Sequence, residues 1–114
     1  MPSGRLLIVA PESAMRQSLL FALEAEGYAL VVRDEPPTLA WLAKNRFDCT
    51  IADQKALTGE DYVSVAFCIK AHPVVLLAAQ PHPWLVEWVA QTVELPPADN
   101  AIVAAIRAVT HSDP

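Results

Sequence analysis

Short, continuous apolar runs alternate along this chain with longer amphipathic ones. Residues 5–10 (RLLIVA) form an apolar run closed by Pro11, the pattern of a strand buried on both faces. Residues 13–26 follow with Met15, Leu19, Ala22, Leu23 and Glu26 at helical spacing, Ser13 placed to cap and Gly27 to terminate. Residues 28–32 (YALVV) read as a second strand. Pro36 and Pro37 open a helix that runs to Lys44, because proline suits a first helical turn; Leu39 and Leu42 give its inner face, with Trp41 between them partly exposed.

The same alternation continues. Residues 48–53 (DCTIAD) make a third strand, and Thr58 with Asp61 makes a capping pair for a helix reaching Ala71. Residues 74–79 are again an apolar strand, introduced by Pro73. Pro81 and Pro83 bracket a short helix over 84–90, residues 92–95 form a fifth strand, and Pro96 and Pro97 lead into a last helix over 99–110 with Ile102, Ile106 and Val109 inward. Strands and helices in strict alternation imply parallel strands joined by right-handed crossovers. The expected architecture is a single doubly wound (βα)5 domain over residues 1–110, with a loose polar tail at 111–114. Its sheet order is 2-1-3-4-5, flavodoxin-like, and its fourth helix region is shortened. Such sheets place function in the crevice at the carboxyl ends of strands 1 and 3. That directs attention to residues 10–13, 53–57, 78–80 and 95–97.

Composition narrows the function classes. A chain of 114 residues that is 54% hydrophobic can bury a core without staples. The net charge of −5, with no basic stretch, argues against binding a nucleic-acid backbone. No apolar run approaches membrane-spanning length, and the run before Pro11 is too short for a signal peptide, so the expected location is the cytoplasm. Cys49 and Cys68 lie in apolar stretches and read as buried free thiols. His72, His82 and His111 show no ligand spacing, and Gly4, Gly27 and Gly59 form no phosphate-cradling loop. Neither a Ser-His-Asp set nor an acid pair is present, so the chain is expected not to be an enzyme and to carry no cofactor or metal.

The order and spacing of these segments resemble the bacterial response-regulator receiver domain over almost the whole chain. LLIVAPESAMRQSLLFALEAEGYAL resembles that family's first strand, helix and second strand, with Arg16, Leu19, Leu23, Gly27 and Tyr28 at the family's spacing. FDCTIADQ resembles the third strand with its phosphoacceptor aspartate, PVVLLAA the fourth strand, and LPPADNAIVAAI the Lys-Pro junction and last helix. The resemblance implies four chemical parts: an acidic pair that helps hold Mg²⁺, the aspartate, a Ser or Thr that bonds the phosphate, and a Lys that balances its charge. Here the acidic pair aligns with Ala10 and Pro11, the hydroxyl with Ala78 and the lysine with Leu95; the aspartate is kept as Asp53. Phosphoryl transfer depends on positioned charge, so losing metal ligands and lysine removes most of what would make Asp53 reactive.

Two readings of Asp53 compete. It is an inactive remnant of a phosphoacceptor, partly solvated or paired with Lys55 or Arg16, or it accepts phosphate at low efficiency. A divalent ion shared by Glu12 and Asp53 is a weaker variant of the second. Trp84 and Trp88, four apart, would share a helix face; if Leu85 and Val89 face the sheet, the tryptophans point at least partly outward. With Pro81 and Pro83 they are candidates for binding a partner, since the resemblance implies regulated contacts on this side. The expected function is therefore a stand-alone pseudo-receiver, a phosphorylation-independent interaction or regulatory module of bacterial two-component signalling. Its partner would be a histidine kinase, another regulator or a second copy in a homodimer, with no nucleic acid or membrane involved. The alternative is an atypical phosphorylatable regulator using Asp53. A small-molecule binder using the same crevice ranks last, because no Gly-rich first loop is present.

Overall fold

Continuous burial along the central strands, with alternate residues packed into opposite layers, decides the architecture. In the computed structural model, which describes residues 4–57, 61–98 and 100–110, the elements are β1 (Arg5–Val9), α1 (Ser13–Ala25), β2 (Ala29–Arg33), α2 (Leu39–Lys44), β3 (Cys49–Asp53), a 3-10 turn (Gln54–Ala56), α3 (Asp61–Lys70), β4 (Val74–Ala78), α4 (Pro83–Val86), β5 (Gln91–Glu94) and α5 (Ala101–Thr110). The strands form one parallel sheet of order β2-β1-β3-β4-β5, as expected. Leu6, Ile8, Cys49, Ile51, Val75 and Leu77 face one layer, with Leu19 and Leu23 of α1 and Ile106 of α5. Leu7, Val9, Ala52, Val74 and Leu76 face the other, with Leu42 of α2, Phe67 and Cys68 of α3, and Leu85 of α4. Both faces are covered, which is why β1, β3 and β4 read as nearly continuous apolar runs.

Gly27 ends α1 with φ at 93°, a backbone conformation that side chains rarely adopt. Several local expectations are corrected. Ser13 is the first residue of α1, not its cap; Glu12 holds that place without a side-chain bond. The second helix starts at Leu39, two residues after the prolines. Pro37 is buried, and Thr38 caps by accepting the Trp41 amide at 3.1 Å. Leu39 is exposed rather than inward, while Trp41 is half-buried, as expected, and packs beside Leu42. Trp41 stacks on Phe47 at 5.8 Å, with the guanidinium of Arg33 over Trp41 and that of Arg5 over Phe47. The Thr58 cap lies outside the described residues, as does the tail at 111–114.

The fourth helix is shorter than the pattern suggested. It ends at Val86, and 87–90 continue as turns to β5. Trp84 and Trp88 therefore do not share a helical face. Leu85 is fully buried, Trp84 is half-buried against the same core layer, and Trp88 is 43% exposed.

Candidate functional site

The crevice at the carboxyl ends of β3, β4 and β5 gathers residues from the segments 53–57, 78–80 and 95–97, while residues 10–13 and the candidates Pro81, Pro83, Trp84 and Trp88 do not line it. Its volume is about 740 Å³, and its walls include Met15, Asp53, Gln54, Lys55, Ala78 and Leu95. Asp53 reaches it because it is the last residue of β3, the central strand. Asp53 as a whole is only 2% exposed. One oxygen, Oδ1, accepts the backbone N–H of Lys55 at 2.9 Å and thereby starts the 3-10 turn. The other, Oδ2, is buried and has no hydrogen-bond partner.

The expectation of a partly solvated or cation-paired Asp53 is thus corrected on both counts. The Lys55 ammonium turns away to Glu12, at 3.3 Å, in a pair that is mostly exposed. Arg16 donates from one guanidinium nitrogen to the carbonyls of Ala10 and Pro11, each at 2.9 Å. These are the carbonyls at the positions where the resemblance expects acidic side chains. Ala78 is buried and Leu95 half-buried, so apolar surface stands where the hydroxyl and lysine would be.

Gln54 lies in the 53–57 segment that the sequence pointed to but was given no role there, and it ties the crevice to the loop before α4. Its Nε2 donates to the carbonyl of Gln80 at 3.0 Å, and its Oε1 accepts the backbone N–H of His82 at 2.8 Å. Both ends of the side-chain amide are used, which fixes the orientation of the 80–82 segment. His82 in turn stacks on Trp84 at 5.8 Å between ring centres. Pro81 is half-buried beside this strap and Pro83 is exposed at the first turn of α4. Of the tryptophan pair, only Trp88 offers a large exposed surface; Trp84 is half-buried against the core. The signal that could have found Gln54 is its position directly after Asp53, but the loop it meets is distant in sequence.

The arrangement defines a class of fold. Solved structures similar to this chain are receiver domains of response regulators. The chemotaxis response regulator CheY4 of Vibrio cholerae is 18% identical, with 92% of this chain and 97% of that one covered at a TM-score of 0.73. The beryllofluoride-activated NtrC receiver domain is 22% identical, with both chains wholly covered, at a TM-score of 0.73. The receiver domain of the Francisella response regulator 1452 is 12% identical, covers 96% of this chain and 98% of its own, and has a TM-score of 0.77. No protein-family model matches the sequence, and neither does any curated protein. The chain thus has the receiver fold, with a crevice of its own composition.

Proposed function

We propose that this chain is a pseudo-receiver: a protein-interaction module of bacterial signalling that works without phosphorylation of Asp53. The observation that carries this reading is the set of charges around that carboxylate. A phosphoryl group brings a charge of about −1.5 to −2 and needs cations opposite it. Both nearby cations are engaged elsewhere, Lys55 with Glu12 and Arg16 with the carbonyls of Ala10 and Pro11. The residues do not fit Mg²⁺ either. A hard cation needs a near-octahedral oxygen set. Here the first loop offers no carboxylate at Ala10 or Pro11, and Arg16 occupies their carbonyls.

The Gln54 strap supports the same reading, because the segment between the crevice and α4 is already held. A surface held ready loses less entropy on binding. The contact surface proposed here runs from Pro81 to Val89, with Trp88 as its exposed aromatic and Val86, 38% exposed, beside it. The partner is a protein, a kinase, another regulator or a second copy. No helix among the described residues is long and apolar enough to cross a membrane.

A second reading keeps Asp53 as a phosphoacceptor, favoured by its place at the end of β3 and by its unpartnered Oδ2. Incubation with acetyl phosphate and Mg²⁺, followed by intact-mass spectrometry, separates the two. The expected result is no phosphoryl adduct. An adduct that appears in the wild type and vanishes in Asp53→Asn establishes the second reading.

A further inference from the structure

Among the described residues, the Asp53 Oδ2 is the one buried side-chain oxygen or nitrogen without a hydrogen-bond partner. Native structures leave few such atoms, and each calls for an explanation. The crevice beside it is walled by the apolar side chains of Met15, Ala78, Leu95 and Pro96, and Asp53 is the sole carboxylate among its lining residues. A mostly apolar crevice whose lining holds one carboxylate, with one of its oxygens unpaired, is complementary to a single positive charge on an aliphatic stem.

We infer that this crevice receives the side chain of a lysine presented by a protein partner, its ammonium bonded to Asp53 Oδ2 and its methylenes lying along Met15, Leu95 and Pro96. The inference rests on the interaction-module reading above and names the chemistry by which that module recognises its partner. Three comparisons select lysine. Arginine is at its best when its planar fork meets both carboxylate oxygens, and Oδ1 is already taken by the Lys55 N–H at 2.9 Å. A divalent metal needs several oxygen ligands, and Asp53 is the one carboxylate among the lining residues. A polyamine gains most where each ammonium meets an anion, and the lining holds one carboxylate. The entrance can adapt, because the half-buried Met15 in the wall is unbranched and re-packs readily. The neighbouring Lys55 ammonium is held off by Glu12 and leaves Oδ2 to an incoming cation. The crevice also includes Gln80 and His82 of the strapped segment, so a lysine bound there lies beside the proposed contact face.

The test is an NMR titration of the isotope-labelled full chain with Nα-acetyl-lysine N-methylamide. The norleucine analogue supplies the same stem without the charge, the arginine analogue supplies the fork, and putrescine stands for a free diamine. The expected result is saturable shifts of the Gln54, Lys55 and Ala78 amides with the lysine probe. Affinity should be at least about tenfold weaker for norleucine, for arginine and for the Asp53→Asn variant. Equal binding of lysine and norleucine, or unchanged binding in Asp53→Asn, overturns the inference. Tighter binding of putrescine than of the lysine probe reassigns the crevice to a free amine and overturns it as well. If Asp53→Asn does not fold, Leu95→Lys replaces it: a lysine built into the crevice wall should exclude the probe, and undiminished probe binding refutes the site. Loss of the lysine site with no phosphoryl adduct on the wild type removes this inference alone. An adduct removes the underlying reading, whatever the probe does.

Discussion

Removing the Gln54 side-chain amide should release the segment 80–82 without unfolding the domain. The two bonds it makes, 3.0 Å to the Gln80 carbonyl and 2.8 Å from the His82 N–H, are at partly exposed positions. Each is worth about 0.5–1.5 kcal/mol net. Together they hold the segment by about 1–2 kcal/mol, once the entropy of ordering the glutamine is set against them. That corresponds to a factor of about 5–30 in the population of the open segment. The His82 amide reports it directly, because its hydrogen is the one donated to Gln54 Oε1. In Gln54→Ala, hydrogen exchange at His82 should accelerate by about that factor. Amides of β1 and β3, which open only with the whole sheet, should change far less. Gln54→Glu separates the two bonds: it keeps an acceptor for His82 but loses the donor to Gln80, so His82 should retain most of its protection. Unchanged exchange at His82 in Gln54→Ala would show that the segment is held by its own packing. A uniform acceleration at every amide would show that Gln54 supports global stability instead, and either result refutes the strap.

Trp88→Ala should leave the melting temperature nearly unchanged, since the ring is 43% exposed, and weaken partner association by about 2 kcal/mol or more; thermal melts beside sedimentation or pull-down with the partner check both. Leu85→Ala, at the fully buried anchor of α4, should cost about 2–5 kcal/mol in denaturant unfolding, and a loss under 1 kcal/mol would contradict the packing described. Burial pushes the Cys49 thiol up to about 12 and the Cys68 thiol up to about 11, so both should resist Ellman's reagent in the native chain and react on unfolding. The stabilising contribution of these protonated thiols is complete below the unfolded thiol range, about 8.5, and is lost as pH rises from there toward 11–12. Melts over that alkaline range should accordingly fall less steeply in Cys49→Val than in the wild type. Gly27→Ala, at φ 93°, should destabilise by about 1 kcal/mol, measured by urea unfolding.

The sheet was legible because burial on both faces leaves a simple trace. After the exposed Arg5, LLIV of β1 and VVLLA of β4 have no polar position to confuse with a helix face, and the turn residues between runs delimit them. Helix boundaries were less legible where two signals compete. Pro36 and Pro37 fit a helix start, but Pro37 is used as buried packing, and the Thr38 cap fixes the true start one residue later. In the fourth helix the spacing of Trp84, Leu85, Trp88 and Val89 fits a longer element. The chain must instead turn toward β5, where the Ala90 N–H bonds the Val74 carbonyl at 2.9 Å. A four-residue helix satisfies the burial of Leu85 and leaves Trp88 to the turn.

The position of Asp53 was legible and its environment was not, and the difference is physical. Its position follows from strand length and topology, which the hydrophobic pattern carries. Its environment depends on where three long side chains end, and the pairing of Gln54 with Gln80, of Lys55 with Glu12 and of Arg16 with the 10–11 carbonyls is not encoded in the hydrophobic pattern. Arg16 takes the carbonyls of the loop that precedes its own helix, a local solution a few residues away. Once it has done so, Lys55 is the remaining cation on the crevice wall, and Glu12, exposed on the same loop, offers it a pair that costs little desolvation. Asp53 keeps one backbone donor and one orphan oxygen as the outcome of those choices. A buried carboxylate in that state is a standing cost to the fold. A partner that supplies a cation removes this cost only when bound, so the free energy appears as affinity and not as stability. On this account Asp53→Asn should lower partner affinity while leaving the isolated domain as stable as the wild type or more so, whereas a stabilising in-chain role predicts the reverse order. Parallel urea unfolding and binding measurements on the two proteins decide between them.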